Sequence, residues 1–333
     1  MEHENKEPLE GGTQENKWLR YPRKAMSGIV YSAAIVLMLV FSLLFSFTLS
    51  AVISATGTEL EILQEQDWYK YLSYGLYQIA YIAVVLLFAC LYKQKPREFG
   101  YRKTHPKYFL VAALLAFGLL FSLNWVNGLF IRLLELVGYN LPSAKYPELT
   151  EREYTLIYQL PSLEGGGIVG VLFVVALLPA ILEETIFRGI ILDGIKDIGT
   201  VAACLLGGLL FSIFHQSPAQ TVYQFICGAV FTLVTIRADS VLPAVFMHFA
   251  NNAVIIFDAK YGFLTNMSGG AYIAVCVVSA AALLGTLAYL IFFDKKTDRK
   301  KEGAIKPFIL SALVDIVASG VMWISALVTG IAG

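Results

Sequence analysis

The sequence predicts an all-α polytopic membrane protein, a bundle of about eight or nine transmembrane helices around a core of four helices. Three observations predict this fold class. The 333 residues are 57% hydrophobic and only 15% charged, whereas soluble domains contain about 25% charged residues. The apolar residues form blocks, several of which exceed the roughly 18 residues that span hydrocarbon. The loops that join the first few of these blocks are in turn acidic and basic.

Nine apolar segments can be drawn along the chain, and each is a predicted helix. The first follows a polar stretch of about 25 residues, and both this stretch and the apolar run are too long for a signal peptide. We therefore expect the first segment to remain as a membrane helix. The segments cover residues 27–53, 71–92, 108–131, 167–195, 200–215, 220–237, 241–258, 271–293 and 307–331.

The charge of the loops predicts the orientation of the chain. The stretches before the first segment, after the second and after the eighth are basic, and the connections after the first and the third carry several acids. Since Lys and Arg are in excess on the cytoplasmic side of membrane proteins, we expect a cytoplasmic N-terminus. Nine crossings would place the C-terminus on the other side.

We expect one membrane domain over residues 1–333, in which residues 1–25 form a polar cytoplasmic tail. The four central segments, within 167–258, are joined by very short turns, so they should pack as an antiparallel bundle and form the core. Residues 139–165 form the longest polar connection and have room for a short amphipathic helix. The four cysteines lie in apolar segments without CxxC spacing, which predicts neither a disulfide framework nor a thiolate metal site.

Charged residues interrupt the fourth apolar segment, in the stretch ILEETIFRGI. An ionisable residue at the bilayer centre costs about 2.5–3.5 kcal/mol on insertion scales, so such residues point to pairing or to function. Glu184 and Arg188 are four residues apart and share a helical face, which predicts an ion pair. Glu183 is rotated by about 100° from Glu184 and has no local partner. We therefore expect a chemical role for Glu183.

Two of the four histidines, His215 and His248, also lie in apolar segments. Glu183 lies 15 residues before the turn near Ile198 and His215 lies 17 residues after it, so at about 1.5 Å per residue both reach one depth. A carboxylate beside an imidazole can act as a general base. His248 and Asn252 share a helical face and could donate hydrogen bonds to an oxyanion, although residue counting places His248 closer to the cytoplasmic surface.

Three short motifs resemble those of a known family. Residues 183–188 (EETIFR), 211–215 (FSIFH) and 248–252 (HFANN) resemble the EExxxR, FxxxH and HxxxN motifs of the CPBP family (CAAX protease and bacteriocin-processing, also called Abi). That family consists of intramembrane glutamic endopeptidases. Each motif is short, but their order and their gaps over about 70 residues are together specific.

The resemblance implies a role for each motif residue. Glu183 would activate a water molecule with the help of His215, and His248 and Asn252 would stabilise the tetrahedral oxyanion. The four central helices would then be a catalytic core. The remaining motif positions, expected to have structural or substrate-orienting roles, are Glu184, Arg188 and Phe211.

The resemblance implies no cofactor and no catalytic metal. The spacing differs from the HExxH motif, in which one helix supplies both imidazoles and the glutamate. Side chains from separate helices could nevertheless converge on zinc. A zinc site made of Glu183, His215 and His248 therefore stays open.

The function favoured by these residues is an intramembrane endopeptidase that cuts a peptide bond near the cytoplasmic half of the bilayer. Two other classes stay open. One is a non-catalytic binding or bacteriocin-immunity protein of the same fold, and the other is a proton- or cation-coupled transporter, which the lack of internal repeats disfavours. We expect a peptide or protein substrate in or at the membrane, contact with the lipid bilayer, no nucleic-acid partner, and a location in the bacterial plasma membrane.

Overall fold

The computed structural model describes residues 23–93, 95–264, 266–295, 297–298 and 300–332. The predicted tail, 1–25, lies almost wholly outside them. Long helices dominate the described residues, and short helical turns occupy parts of the connections. The long helices are α1 (Arg23–Thr56), α2 (Asp67–Tyr92), α3 (Lys107–Leu136), α4 (Gly167–Ile195), α5 (Thr200–Phe214), α6 (Thr221–Ala238), α7 (Leu242–Tyr261), α8 (Gly269–Phe293) and α9 (Lys306–Ala332).

The predicted fold class is confirmed. The described residues contain no named β-strand, only an isolated bridge between Ile198 and Lys301. Eight helices in this part of the chain are long and apolar enough to cross a membrane. Helix α5 has 15 residues, so it is about 22 Å long and falls short of the roughly 30 Å hydrocarbon layer. The turn that follows it, at His215, therefore lies at membrane depth.

Five segments are joined at one end of the bundle, which we call the basic end. They are the first turn of α1 and the connections after α2, α4, α6 and α8. The joining ion pairs are Lys24 with Asp197 at 2.6 Å, Arg102 with Asp239 at 2.9 Å, Lys107 with Asp294 at 2.8 Å, and Arg237 with Asp298. These contacts fix where each hairpin of the core begins.

The connections after α1, α3, α5 and α7 and the end of α9 lie at the opposite end, which we call the acidic end. Asp67 accepts a hydrogen bond from the Ser162 N–H at 2.8 Å, and the Arg152 Nε donates to the Ala259 carbonyl at 2.8 Å. The predicted short helix in the connection after α3 is present at Glu151–Tyr154 and continues as a π-helical turn. The two ends of the bundle thus differ in composition as well as in position.

The helices pack in pairs around the centre formed by α4 to α7. Helix α1 lies along α9, α5 along α6, and α3 along α8. Large apolar side chains such as Phe47, Leu86 and Val277 are exposed on the outer faces, where hydrocarbon would cover them. Asp315 of α9 is fully buried and accepts a hydrogen bond from the Ser319 hydroxyl at 2.6 Å, a partner one helical turn away.

Helix α4 is irregular where it carries the charged residues. Its regular turn at Leu178–Glu184 is flanked by π-helical turns at Leu172–Leu177 and Thr185–Ile191. Pro179 lies within this region, and a proline cannot donate a hydrogen bond to the carbonyl four residues earlier. Wide turns of this kind often occur at functional sites. Because of Pro179, the carbonyl of Val175 receives no hydrogen bond from the N–H four residues later.

Candidate active site

A cavity of about 720 Å³ lies among α2, α3 and the four core helices. The lining includes five of the residues that the sequence singled out: Glu183, Phe211, His215, His248 and Asn252. Glu183 and His215 therefore reach the same cavity, as their similar distances of 15 and 17 residues from Ile198 predict. The other two predicted residues, Glu184 and Arg188, do not line the cavity and lie behind it.

Glu184 is the centre of a buried polar network. Its Oε1 accepts a hydrogen bond from Arg188 Nη1 at 2.9 Å, and both side chains are 0% exposed. The ion pair predicted from the four-residue spacing is thus present. The same Oε1 lies 2.9 Å from Nδ1 of His248. Glu184 therefore links α4 to α7 and fixes the orientation of the His248 ring.

Arg188 also contacts a carbonyl and aromatic rings. Its Nη2 donates to the Gly228 carbonyl at 3.0 Å. The guanidinium carbon lies 4.5 Å from the ring centroid of Phe211 and 5.3 Å from that of Phe231, within the range of cation–π attraction. Phe211 of the second motif thus stabilises Arg188 of the first motif. This contact gives Phe211 a structural role.

The hydrogen bond of His215 determines its tautomer. Nδ1 of His215 lies 2.7 Å from the carbonyl oxygen of Phe211, one turn earlier. A carbonyl only accepts hydrogen bonds, so Nδ1 carries the proton, and in the neutral ring Nε2 is left as an acceptor. The Phe211 ring packs against the imidazole at a centroid distance of 4.6 Å. His215 can therefore accept a proton or a hydrogen bond in the cavity at Nε2.

Asn252 is positioned by the proline of the neighbouring helix. Because Pro179 has no N–H, the carbonyl of Val175 is available, and Asn252 Nδ2 donates to it at 3.4 Å. The adjacent Asn251 is held in turn by Tyr223, whose hydroxyl donates to Asn251 Oδ1 at 2.5 Å. These contacts hold an amide group of α7 at the wall of the cavity.

His248 lies deeper than residue counting along α7 predicted. The turn before α7 is bonded to the connection after α2. The Val241 N–H donates to the Gly100 carbonyl at 3.0 Å, and the Ser240 hydroxyl donates to the Arg102 carbonyl at 2.8 Å. His248 lies six residues after Leu242, where α7 begins, and its contact with Glu184 places it at the level of that residue.

Glu183 has an oxygen without a protein partner. Its side chain is half-buried, and Oε2 is buried without a hydrogen-bond partner among the described residues. Oε2 of Glu184 is likewise buried without a partner among the described residues, but its Oε1 has two partners and the residue does not line the cavity. Of the two adjacent carboxylates, Glu183 is therefore the one that a water molecule or a substrate in the cavity can reach.

Sequence reasoning missed the neutral amides of the cavity. Gln78 of α2, Asn127 of α3, and Gln216 and Gln220 after α5 all line it. An uncharged amide in an apolar segment is a weak signal, since it lowers the hydropathy of a segment far less than a charge does. The sequence feature that could have pointed to these amides is that several of them occur near the ends of apolar segments, which the structure brings together.

Metal ligation by these residues was an open alternative. Within the described ranges, no three His, Cys, Asp or Glu side chains come together in an arrangement that could hold a metal ion. Glu183, His215 and His248 border one cavity but do not form such a group. The absence of a cofactor stays a prediction.

The comparison with protein families gave one finding. A family model described as Rce1-like, type II CAAX prenyl endopeptidase, matches residues 165–254. These residues form an Rce1-like domain. The comparison with curated proteins gave no match, and neither did the comparison with solved structures.

The Rce1-like domain contains all three motifs. It begins just before α4 and ends within α7, so it covers the four predicted core helices almost completely. The match supports a membrane-embedded protease, and the eight membrane-length helices support an integral multi-pass protein. The helices outside residues 165–254 are not covered by it.

Proposed function

We propose that the protein is an intramembrane endopeptidase of the glutamic type that hydrolyses a peptide bond of a membrane-associated protein or peptide. The observation that carries this proposal is that Glu183, His215, His248 and Asn252 line a single cavity inside the Rce1-like domain. Helices 167–258 are then the catalytic core of a single membrane domain, and the basic stretch before α1 puts the N-terminus in the cytoplasm.

The chemistry begins with a water molecule between Glu183 and His215. Glu183 accepts a proton as the water oxygen attacks the carbonyl carbon of the substrate, and Nε2 of His215 accepts a hydrogen bond from the same water. A new C–O bond forms and the carbonyl oxygen becomes an oxyanion. When this intermediate collapses, the C–N bond breaks and the proton passes to the departing nitrogen, so that one water is consumed for each bond cut.

The oxyanion is stabilised by donors on α7. Asn252 has a second amide hydrogen besides the one directed at the Val175 carbonyl. His248 donates through Nε2 when it is an imidazolium, because its Nδ1 is already engaged with Glu184. Glu184 and Arg188 hold His248 in place from behind the cavity. Donors of this kind are typically worth 10²–10³-fold in kcat, on the order of 3–4 kcal/mol.

The test is comparative terminomics of membranes from cells that express either the wild type or Glu183→Gln at equal abundance. We expect new protein termini with the wild type that are missing with Glu183→Gln. Glu135→Gln is the matched control, since Glu135 is an exposed glutamate of α3 outside the cavity. It should yield the wild-type termini.

Identical termini in all three samples would refute the protease and favour the non-catalytic binding or bacteriocin-immunity protein. Flux across sealed vesicles that depends on pH and on Glu183 would favour the transporter instead. His215→Ala is expected to abolish the new termini as well, and normal cleavage by it would remove His215 from the proposed mechanism.

A further inference from the structure

Three neutral amide side chains of the cavity each have a buried polar atom without a partner. These atoms are Oε1 of Gln78, Oδ1 of Asn127 and Nε2 of Gln216. Buried polar groups in native proteins are nearly always hydrogen-bonded, because leaving one unpaired destabilises the fold. These atoms have almost no accessible surface, so they lie just beneath the wall of the cavity that their side chains line. A rotation of each amide would turn its acceptor and donor atoms toward a ligand that supplies both donors and acceptors.

The rest of the lining indicates that this ligand is uncharged. Apart from Glu183 and the two histidines, the cavity has no acidic or basic side chain. Gln159, Gln220 and Gln224 add further amides to its wall. The main chain of a peptide, with alternating N–H and C=O groups, matches an amide-lined wall, whereas a charged side chain would find no partner there.

Gln216 lies next to the proposed water-activating histidine. It follows His215 directly and has a left-handed backbone, with φ of 53°, which turns the chain out of α5. This conformation is uncommon for a residue other than glycine. It places the side chain of Gln216, whose buried Nε2 has no partner, in the wall of the cavity that Glu183 and His215 also line.

We propose that Gln78, Asn127 and Gln216 form a binding site for the main chain of an uncharged, extended segment of the substrate. This site, which rests on the proposed function, positions the scissile bond beside Glu183. The amides bind the main chain of the peptide rather than its side chains, so the site accepts segments of varied apolar sequence. It disfavours charged residues near the cleavage point.

The test replaces single glutamines with methionine, which has a similar length but cannot form these hydrogen bonds. Gln78→Met and Gln216→Met are compared with Gln66→Met, the same change at an exposed position outside the cavity. We expect both cavity variants to melt at or above the wild-type temperature in detergent micelles, since each loses an unpaired polar group. Their Glu183-dependent termini should fall about tenfold or more.

The outcomes separate the two proposals. A melting temperature lowered in both cavity variants but not in Gln66→Met would assign the amides to folding and overturn the binding site. Unchanged yields of the termini in both variants would overturn it as well. Failure of the wild type itself to produce any Glu183-dependent termini would instead refute the proteolysis on which the binding site rests.

The cavity extends toward one end of the helix bundle. On α4 the lining residues Val175 and Pro179 precede Glu183, and on α7 Asn251 and Ile255 follow His248. Helix α4 runs toward the basic end and α7 runs away from it. On both helices, therefore, the cavity extends from the catalytic residues toward the acidic end.

Toward the basic end a separate pocket of about 90 Å³ reaches Arg188 and Gly189, but it shares no lining residue with the catalytic cavity. Phe187 and Ile190, the next residues of α4 on this face, are buried. The connection after α2 lies directly against α4, so that a Cβ on Gly189 would stand 2.8 Å from the Phe99 carbonyl oxygen. No substrate segment can pass between these elements without moving them.

The distribution of Lys and Arg assigns the two ends to the two sides of the membrane. Of the 25 Lys and Arg residues, 19 belong to the basic end. They precede α1, lie in its first turn, or lie in the connections of this end and the helix turns next to them. Five lie toward the acidic end, and Arg188 is internal. By the excess of positive charge on the cytoplasmic side, the basic end is cytoplasmic.

We infer that the catalytic cavity opens toward the extracytoplasmic face. The substrate is then a peptide or protein segment presented from that side, which differs from the cytoplasmic half of the bilayer expected from the sequence. A lipidated C-terminus of a cytoplasmic protein would approach the closed end of the cavity.

Cysteine labelling tests this inference without any need for turnover. Starting from a variant in which the exposed Cys90 is replaced by alanine, Gln220→Cys reports on the cavity and Lys103→Cys on the basic end. Both residues are exposed. We expect a membrane-impermeant maleimide to label Gln220→Cys in sealed right-side-out vesicles and Lys103→Cys in inverted vesicles, above the labelling of the Cys90→Ala parent.

Glu148→Cys, at an exposed position of the acidic end, is the control for the accessible face. The inference would be overturned if Gln220→Cys were labelled in inverted vesicles only, as Lys103→Cys is. Labelling of Glu148→Cys in inverted vesicles only would overturn it as well. Labelling as expected combined with the absence of Glu183-dependent termini would refute the protease but leave the opening of the cavity in place.

Discussion

Arg188→Met is predicted to destabilise the protein strongly, because it leaves a buried carboxylate without its main partner. Arg188 and Glu184 are 2.9 Å apart and both side chains are 0% exposed. Removing one member of a buried ion pair costs about 3–5 kcal/mol, since the other charge stays buried and uncompensated. For a chain of this size, that loss corresponds to a fall in melting temperature on the order of 10 °C.

The assay is thermal unfolding of the purified protein in detergent micelles, followed by tryptophan fluorescence. Arg132→Met is the matched control, because Arg132 is exposed near the end of α3, and it should melt within about 2 °C of the wild type. The double variant Arg188→Met/Glu184→Gln should recover part of the loss, since the buried negative charge is then removed as well.

The double variant separates the ion pair from other effects of the substitution. If the two single losses simply add in the double variant, the ion pair has no coupling energy and the reasoning fails. A melting temperature of Arg188→Met within about 2 °C of the wild type would refute it more directly. Both variants lack the cation–π contacts of Arg188 with Phe211 and Phe231. The double variant therefore does not regain the part of the stability that these contacts supply.

Three further variants test the packing of the bundle, each by its melting temperature in micelles. Gly228→Ala should destabilise by about 1–3 kcal/mol, because a Cβ there would stand 2.9 Å from the Gly208 Cα; an unchanged melting temperature would show that α5 and α6 can separate. Arg102→Ala removes an ion pair exposed on both sides and should cost less than about 1 kcal/mol, so a larger loss would contradict that surface role. Trp323→Phe removes the 2.8 Å hydrogen bond to Thr221 and should cost about 1 kcal/mol, whereas no loss would show that water replaces it.

Part of the active site could be predicted from the sequence because helical geometry is regular over short distances. The pairing of Glu184 with Arg188 depends only on a separation of four residues within one helix. The common depth of Glu183 and His215 depends on one tight turn and on a constant rise per residue. Both are local properties; the ion pair is present, and Glu183 and His215 line the same cavity.

The position of His248 shows where this local reasoning fails. Its depth depends on where the turn before α7 lies, and that turn is bonded to a connection more than 130 residues earlier in the chain, through the Val241 N–H and the Gly100 carbonyl. The link between His248 and Glu184 follows from that packing. A count of residues along one helix contains no information about it.

The sequence by itself determined the membrane character, the helices and their order, and the identity of the ionisable residues within the apolar segments. Hydropathy and charge determine these features because water and hydrocarbon act on each segment separately. Only the tertiary structure decided that Glu184 and Arg188 support the site from behind, that Gln78 and Gln216 line it, and toward which end it opens. These properties arise from contacts between distant segments, and neutral amides within apolar helices become recognisable as a site only when the fold brings them together.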